Sequence, residues 1–235
     1  MYSFDSRVRY SEIDQNGRLD IPGLVNYFQD CSTFQSEDAG VGIEYCKEHG
    51  CAWILCSWQI VIQKLPFLGD RIRTTTWANE LRGFYGIRNY TLESESKERL
   101  AFASSVWVYL DMERKKPVKI SDEMMSYFPI HEPIQYEWGK RKMNLPKEFE
   151  RKESFLITRE NLDTNNHVNN GQYIFLAARY LPARFNVKQI RVEYRNEARE
   201  NDIFCPCVTV SDDKIVVMFY NMNDILYAAI EFMRE

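Results

Sequence analysis

The stretch Ile157-Thr-Arg-Glu-Asn-Leu-Asp-Thr-Asn-Asn-His-Val168 decides the reading of this chain, because its framework occurs once before. Val8-Arg-Tyr-Ser-Glu-Ile-Asp-Gln-Asn-Gly-Arg-Leu19 aligns with it without a gap. Asp14 and Asn16 therefore match Asp163 and Asn165, while Arg18 stands where His167 does. Each copy leads into a helical apolar pattern: Leu24, Phe28 and Cys31 after the first, and Tyr173, Leu176, Ala177 and Tyr180 after the second. Each helix gives way to an alternating strand, with Ile60 and Ile62 answering Val192 and Tyr194, and an aspartate closes the next turn at Asp70 and Asp202. A repeat of this size is a duplicated domain, since solenoid and propeller units are much shorter.

Periodicity fills in the rest. A short strand from Phe4 to Tyr10 precedes a long helix from about Pro22 to Glu37, with proline placed where a first turn accepts it. A shorter helix near Ile43 to His49 follows. Strands are then expected at Ala52 to Gln63, Arg71 to Leu81, Gly86 to Glu95 and Leu100 to Leu110, the last setting Val106, Val108 and Leu110 against Trp107 and Tyr109. That order predicts an α+β fold in which a mostly antiparallel sheet curls around a central helix. From about residue 111 to 153 prolines and charges scatter around a short amphipathic piece, Asp122 to Tyr127, which reads as a linker. The expected domains are 1–135, counting the start of that linker, and 154–235. The second ends in strands near Phe204 to Val210, Lys214 to Asn221 and Ile225 to Phe232, with Asn221-Met-Asn-Asp224 as a hairpin turn.

Composition sets further limits. The 235 residues are 45% hydrophobic and 14% aromatic, enough for a sizeable core, and no apolar run approaches the ~20 residues that span a bilayer. The N-terminal Met-Tyr-Ser-Phe-Asp-Ser-Arg has neither the order of a secretory signal nor that of a transit peptide, so a cytoplasmic location is expected. Six cysteines carry no zinc or redox spacing and only three histidines accompany them, which predicts reduced thiols, no metal and no cofactor. The net charge of −4 argues against general nucleic-acid binding. Local basic stretches remain at Gly139-Lys-Arg-Lys-Met143 and, more loosely, at Arg179, Arg184, Lys188, Arg191, Arg195 and Arg199.

The repeat's second copy is the candidate site. In an extended lead-in, side chains two residues apart share a side, so Asp163, Asn165 and His167 converge ahead of the amides that open the next helix. Such a place holds a developing negative charge and moves a proton. Asp and Asn are also common turn formers and helix caps, so local structure is the competing explanation.

Over nearly its whole length the chain resembles the acyl-acyl carrier protein thioesterases, a family of tandem hot-dog domains. The motifs that carry this are Asp163-x-Asn165-x-His167-Val-Asn-Asn170 with Tyr173 following, Val192-Glu-Tyr-Arg-Asn-Glu197, and Trp107-Val-Tyr-Leu-Asp-Met-Glu-Arg-Lys-Lys-Pro117. The resemblance implies hydrolysis of fatty acyl thioesters of acyl carrier protein, ending fatty acid synthesis. It implies a catalytic group of Asp163, Asn165, His167 and Glu197, and an acidic carrier protein as partner, with the cluster from Arg179 to Arg199 as its dock. A cysteine that some accounts of the family place after the glutamate is Ala198 here, which disfavours thiol catalysis. Glu197 or His167 would activate water, Asp163 would orient the imidazole or attack directly, and amides from Val168 to Asn170 would hold the oxyanion. The first unit, with Arg18 in place of histidine, would line the acyl pocket through Ala52 to Trp58. Strand alternation raises an objection: Val192 and Tyr194 face the helix, so Glu197 falls on the side of Arg195 unless the strand bulges or ends at Asn196. Rival readings are an acyl-CoA thioesterase, a non-catalytic acyl-binding hot-dog protein and a dehydratase. Oligomeric state stays open, a homodimer included, because two fused units supply the pairing that single hot-dog domains obtain by dimerising.

Overall fold

The computed structural model describes residues 1–182 and 185–234; of the residues singled out above, only Arg184 lies outside the described residues. The chain divides into two units, Met1–Cys56 with Ile62–Glu137, and Ser57–Val61 with Trp138–Glu235.

The first unit contains β1 (Tyr2–Arg7), α1 (Ile21–Asp38), α2 (Ile43–Glu48), most of β2 (Cys51–Ile62), β3 (Arg71–Arg82), β4 (Tyr85–Ser94), β5 (Arg99–Asp111), β6 (Lys116–Pro117) and α3 (Asp122–Ser126). Helix α1 starts where a cap is available: the Asp20 carboxylate accepts the Gly23 N–H at 2.7 Å, with Pro22 in the first turn. It buries Leu24, Val25, Phe28 and Cys31, the stripe that helical spacing predicts. Strands β1, β3, β4 and β5 pair antiparallel in that order. The turn between β3 and β4 is Gly83-Phe84, with Gly83 at φ 61°, a value that tight hairpins demand and glycine supplies. Alternation along the strands points Tyr90 at the helix, where its ring lies 5.4 Å from that of Phe28. The chain after β6 folds back on the same unit: Ile120, Met124 and Phe128 pack against Val41 and Ala78.

The second unit contains β7 (Glu150–Arg151), β8 (Phe155–Leu156), α4 (Asn170–Ala178), β9 (Gln189–Tyr194), β10 (Ile203–Val210), β11 (Lys214–Tyr220) and β12 (Leu226–Met233). Its sheet runs β9-β12-β11-β10-β7, with Ser57–Val61 of β2 antiparallel on β9 and β8 on β10. Aromatic rings join helix to sheet: Tyr173 lies 5.5 Å from Phe204 and 5.6 Å from Tyr194. Helix α4 has nine residues against eighteen in α1, so the second unit's helix is shorter than the expected long central helix.

The outer face of this sheet is apolar too. Cys207, Val216, Met218 and Ala229 are covered by Met143, with Leu145 and Tyr220 beside them. The residues around Gly139 are tied down in detail: the Gln59 amide exchanges bonds with Gly139 N and O at 2.8 and 2.7 Å, Arg191 donates to the Lys140 carbonyl at 2.7 Å, and the Met143 N–H reaches the Glu193 carboxylate at 2.8 Å. The stretch read as a linker is thus packed, its part from Trp138 as a strap on the second unit.

Backbone bonds reproduce the sequence repeat residue by residue. Asp14 N–H donates to the Arg18 carbonyl and Asp163 N–H to that of His167, both at 2.8 Å. Val8 N–H donates to Asp70 and Ile157 N–H to Asp202; Leu19 N–H donates to Pro66 and Val168 N–H to Ala198. The matched turns end alike as well, with Gly17 at φ 75° and Asn166 at φ 58°.

Candidate active site

The loop from Asp163 to Val168 is shaped by one carboxylate. Asp163 Oδ1 accepts the N–H of Asn165 at 2.8 Å and that of His167 at 3.3 Å. Asp14 does the same in the first unit, accepting from Asn16 at 2.8 Å and Arg18 at 3.0 Å. These are the side-chain-to-backbone bonds by which Asp stabilises turns. The Asp14 pKa is lowered: burial works against its charge, and the N–H groups of Arg18 and Asn16 outweigh that.

The loop is then stitched to the strand that carries the second carboxylate. Val168 N–H donates to the Ala198 carbonyl at 2.9 Å. Tyr173 is buried, and that burial pushes its hydroxyl well above the ordinary tyrosine range. The residues just before this stitch are His167 and Glu197. Their side chains meet: His167 Nε2 is 3.2 Å from Glu197 Oε2, with the imidazole largely covered, at 17% exposure, and the carboxylate open to solvent at 46%. Arg199 Nη2 stands 3.9 Å from the same Oε2.

The objection from strand alternation is answered by a bulge. Strand β9 ends at Tyr194, and the next two amides, Arg195 and Asn196, both donate to the Tyr227 carbonyl, at 2.8 and 3.2 Å. Two residues facing one partner shift the alternation by one position. The Asn196 side chain holds the bulge by donating to the Leu226 carbonyl at 2.7 Å. Glu197 is thereby carried off the side of Arg195.

Of the four residues expected to act together, the structure brings His167 and Glu197 into contact. Asp163 bonds the loop backbone, and Asn165 is exposed, its side-chain amide without a partner among the described residues. The expected oxyanion amides need correction. Val168 N–H is spent on Ala198 and Asn169 N–H on the Asn161 carbonyl at 2.9 Å, leaving Asn170 as the one of the three whose N–H has no acceptor among the described residues. Ala198, where a cysteine was considered, is fully buried. From sequence, Arg199 reads only as part of the basic cluster and not as a neighbour of Glu197, and the Asn196 bulge was missed because it depends on pairing across the sheet.

The basic cluster is dispersed. Arg191 pairs with Glu231 at 3.0 Å and Arg195 with Glu193 at 2.9 Å, while Arg179 lies over the Phe175 ring at 5.2 Å. Lys140, Arg141 and Lys142 are exposed on the strap, without a carboxylate partner among the described residues. Also among the described residues, no group of three or more His, Cys, Asp or Glu is placed to hold a metal ion, and no helix is long and apolar enough to cross a membrane.

Two helix-and-sheet units repeated in tandem, one of them bearing a histidine–carboxylate pair, define the class as a double hot-dog protein. The chain belongs to the acyl-ACP thioesterase family: the family's N-terminal domain model matches residues 1–128 and its C-terminal domain model residues 145–220. It is 27% identical over 231 residues to the chloroplastic palmitoyl-acyl carrier protein thioesterase of Gossypium hirsutum, covering 90% of this chain and 55% of that protein. With the chloroplastic oleoyl-acyl carrier protein thioesterase 1 of Arabidopsis thaliana it shares 22% over 227 residues, 88% of this chain and 63% of that one. The chain thus spans about half to two thirds of the length of these curated relatives. Among solved structures, an acyl-ACP thioesterase from Bacteroides thetaiotaomicron superimposes with a TM-score of 0.89 at 20% identity, over 99% of this chain and 97% of that one. The 12:0-ACP thioesterase from Umbellularia californica gives 0.86 at 16% identity, over 98% and 96%. At such identities the two structures establish the shared fold.

Proposed function

We propose that this chain hydrolyses fatty acyl thioesters of acyl carrier protein, releasing a fatty acid and ending its synthesis. One observation carries the reading: the second unit holds a histidine against a carboxylate at 3.2 Å, where the repeat gives the first unit Arg18 and Leu65. The more exposed Glu197 takes a proton from the attacking water, and His167 orients the carboxylate through Nε2–H. Water's oxygen bonds the thioester carbon; as the C–S bond breaks, the thiolate leaves and takes up the proton. A thiol of pKa near ~8.5 needs little help to leave, so the work lies in activating water and holding the oxyanion. Asn165 and the Asn170 N–H are the donors for that oxyanion. Asp163 holds the loop in place.

The partner is acidic acyl carrier protein, and Lys140 to Lys142 with Arg179 are its dock, which makes the Michaelis constant rise with salt. Six free thiols suit a reducing compartment, and we place the protein in the cytoplasm, as a monomer or homodimer that sedimentation distinguishes. The deciding experiment compares carrier-protein and coenzyme A thioesters of the same acyl groups. Preferential turnover of the carrier-protein series supports the reading; turnover of coenzyme A thioesters alone assigns the chain to acyl-CoA hydrolysis, and no turnover of either sinks the proposal.

A further inference from the structure

The helix-facing side of the first unit's sheet holds a cation where the repeat calls for a hydrocarbon. Strand register pairs Thr76 with Tyr90 and Arg88 with Ser105. Counted from the matched Asp70 and Asp202, the corresponding pairs in the second unit are Val208 with Val217 and Ile215 with Phe232. Those four are buried, as an inner sheet face requires. The fold therefore has no need of a guanidinium at this position.

Arg88 has few partners for its charge. Its Nη1 donates to Gln35 Oε1 on α1 and to Thr76 Oγ1 at 3.4 Å, and its guanidinium lies 5.2 Å from the centre of the Phe128 ring. Nε and Nη2 have no acceptor, and no carboxylate pairs with the group, among the described residues. Burial lowers its pKa from the ordinary arginine value. A cation drawn partly out of water without a counter-ion is costly, and one is normally supplied. The surroundings are not closed over it either: Arg88, Trp107, Tyr109 and Trp53 are all only part-buried. Trp107 Nε1 donates to Ser105 Oγ at 2.6 Å, so the polar atoms beside Arg88 are already satisfied by one another.

We propose that this inner face of the first unit binds an aliphatic carboxylate, with Arg88 as its counter-ion. Two free donors in one plane match a carboxylate's two oxygens. The rings of Phe128 and Trp107 suit a hydrocarbon chain better than a hydrated inorganic anion. The carboxylate has two sources: a free fatty acid, or the far end of an acyl chain that carries a second carboxyl group. Both present the same chemistry to Arg88.

Binding is measured on the intact chain without turnover, so its outcome is separate from that of the proposed reaction. Calorimetric titration compares decanoate with methyl decanoate on the wild type, Arg88→Met and Arg88→Lys. Decanoate is expected to bind about tenfold or more tightly than its ester, the worth of a charge-assisted hydrogen bond. Arg88→Met abolishes that preference and Arg88→Lys keeps part of it. Equal binding of acid and ester by the wild type overturns the proposal even where Arg88→Met does not fold; so does a preference that survives in folded Arg88→Met. A second arm separates the sources by comparing decanoyl and 9-carboxynonanoyl carrier-protein thioesters and inhibition by free decanoate. Arg88-dependent preference for the carboxyl-tipped chain assigns the acyl terminus, and Arg88-dependent inhibition assigns the free acid. Loss of neither effect in Arg88→Met counts against the proposal.

Discussion

The Val168 N–H donates to the Ala198 carbonyl at 2.9 Å, and this bond delivers the two residues just ahead of it, His167 and Glu197, to one another. The first unit makes the same bond, from Leu19 to Pro66 at 2.8 Å, but there the residues just ahead of it are Arg18 and Leu65, and the Arg18 guanidinium lies over the Phe67 ring at 5.2 Å. The fold supplies the meeting point twice and the sequence fills it with chemistry once.

Removing either side chain should therefore stop turnover while leaving the fold. His167→Ala and Glu197→Gln are each expected to lower kcat on carrier-protein thioesters by about 10²- to 10⁴-fold, the range for loss of a general base or its partner. The double variant should cost little more than the worse single one, because the two act as a unit. Thermal melts check that folding is kept; normal turnover in either single variant removes that residue from the mechanism.

The bulge that carries Glu197 across is held by Asn196, whose side chain reaches the Leu226 carbonyl at 2.7 Å. Asn196→Ala leaves Glu197 and His167 in place chemically but loosens their geometry. Misplacement of about 1 Å costs up to about a hundredfold in rate, so kcat should fall with little change in the Michaelis constant. A drop in Tm with unchanged kcat would show that the bulge matters only for stability.

Much of this was legible from residue pattern because the two copies share a local hydrogen-bond scheme. Asp14 and Asp163 each grip the backbone within four residues, and Asp20 and Asn169 cap the helices, so short-range rules place them. The position of Glu197 was not legible, since it depends on both Arg195 and Asn196 facing Tyr227 across the sheet. The oxyanion amides failed for the same reason: Val168 and Asn169 look free within their own helix start, and each is taken by a carbonyl distant or outside that helix. The strap from Trp138 read as linker because its composition is polar, while its packing rests on Met143 and on side chains of other strands.

Asp20 offers a test by pH. Its pKa is raised, first by burial, against the Gly23 N–H, which favours the charged form, and with Asp14 and Glu12 adding to the rise. A carboxyl whose folded pKa lies above its unfolded value holds its proton more tightly when folded. Its contribution is full below the unfolded value, near ~3.9, and is lost as pH rises through the folded one. Asn caps a helix as well as Asp, so Asp20→Asn keeps the α1 cap and removes this loss. Its Tm should exceed that of the wild type at neutral pH, with the gap closing as pH falls; a gap that widens on acidification contradicts the assignment.

Asp163 decides between a structural and a chemical role for the carboxylate in the motif. As a nucleophile it needs its charge, and Asp163→Asn would abolish turnover without affecting folding. As the grip on the Asn165 and His167 amides it needs only an acceptor oxygen, which asparagine retains. The first unit argues for the grip, since Asp14 makes both bonds where Arg18 stands in place of the histidine. Asp163→Asn should therefore keep turnover within about tenfold, whereas Asp163→Ala loses the loop, about 0.5–2 kcal/mol by analogy with a lost cap, and most activity with it. Asp14→Ala should destabilise by a similar amount through the matching turn. If instead Asp163→Asn is dead with an unchanged melt, the carboxylate takes part in the reaction itself, and direct attack by Asp163 on the thioester carbon, giving an anhydride that water then opens, replaces water activation by Glu197.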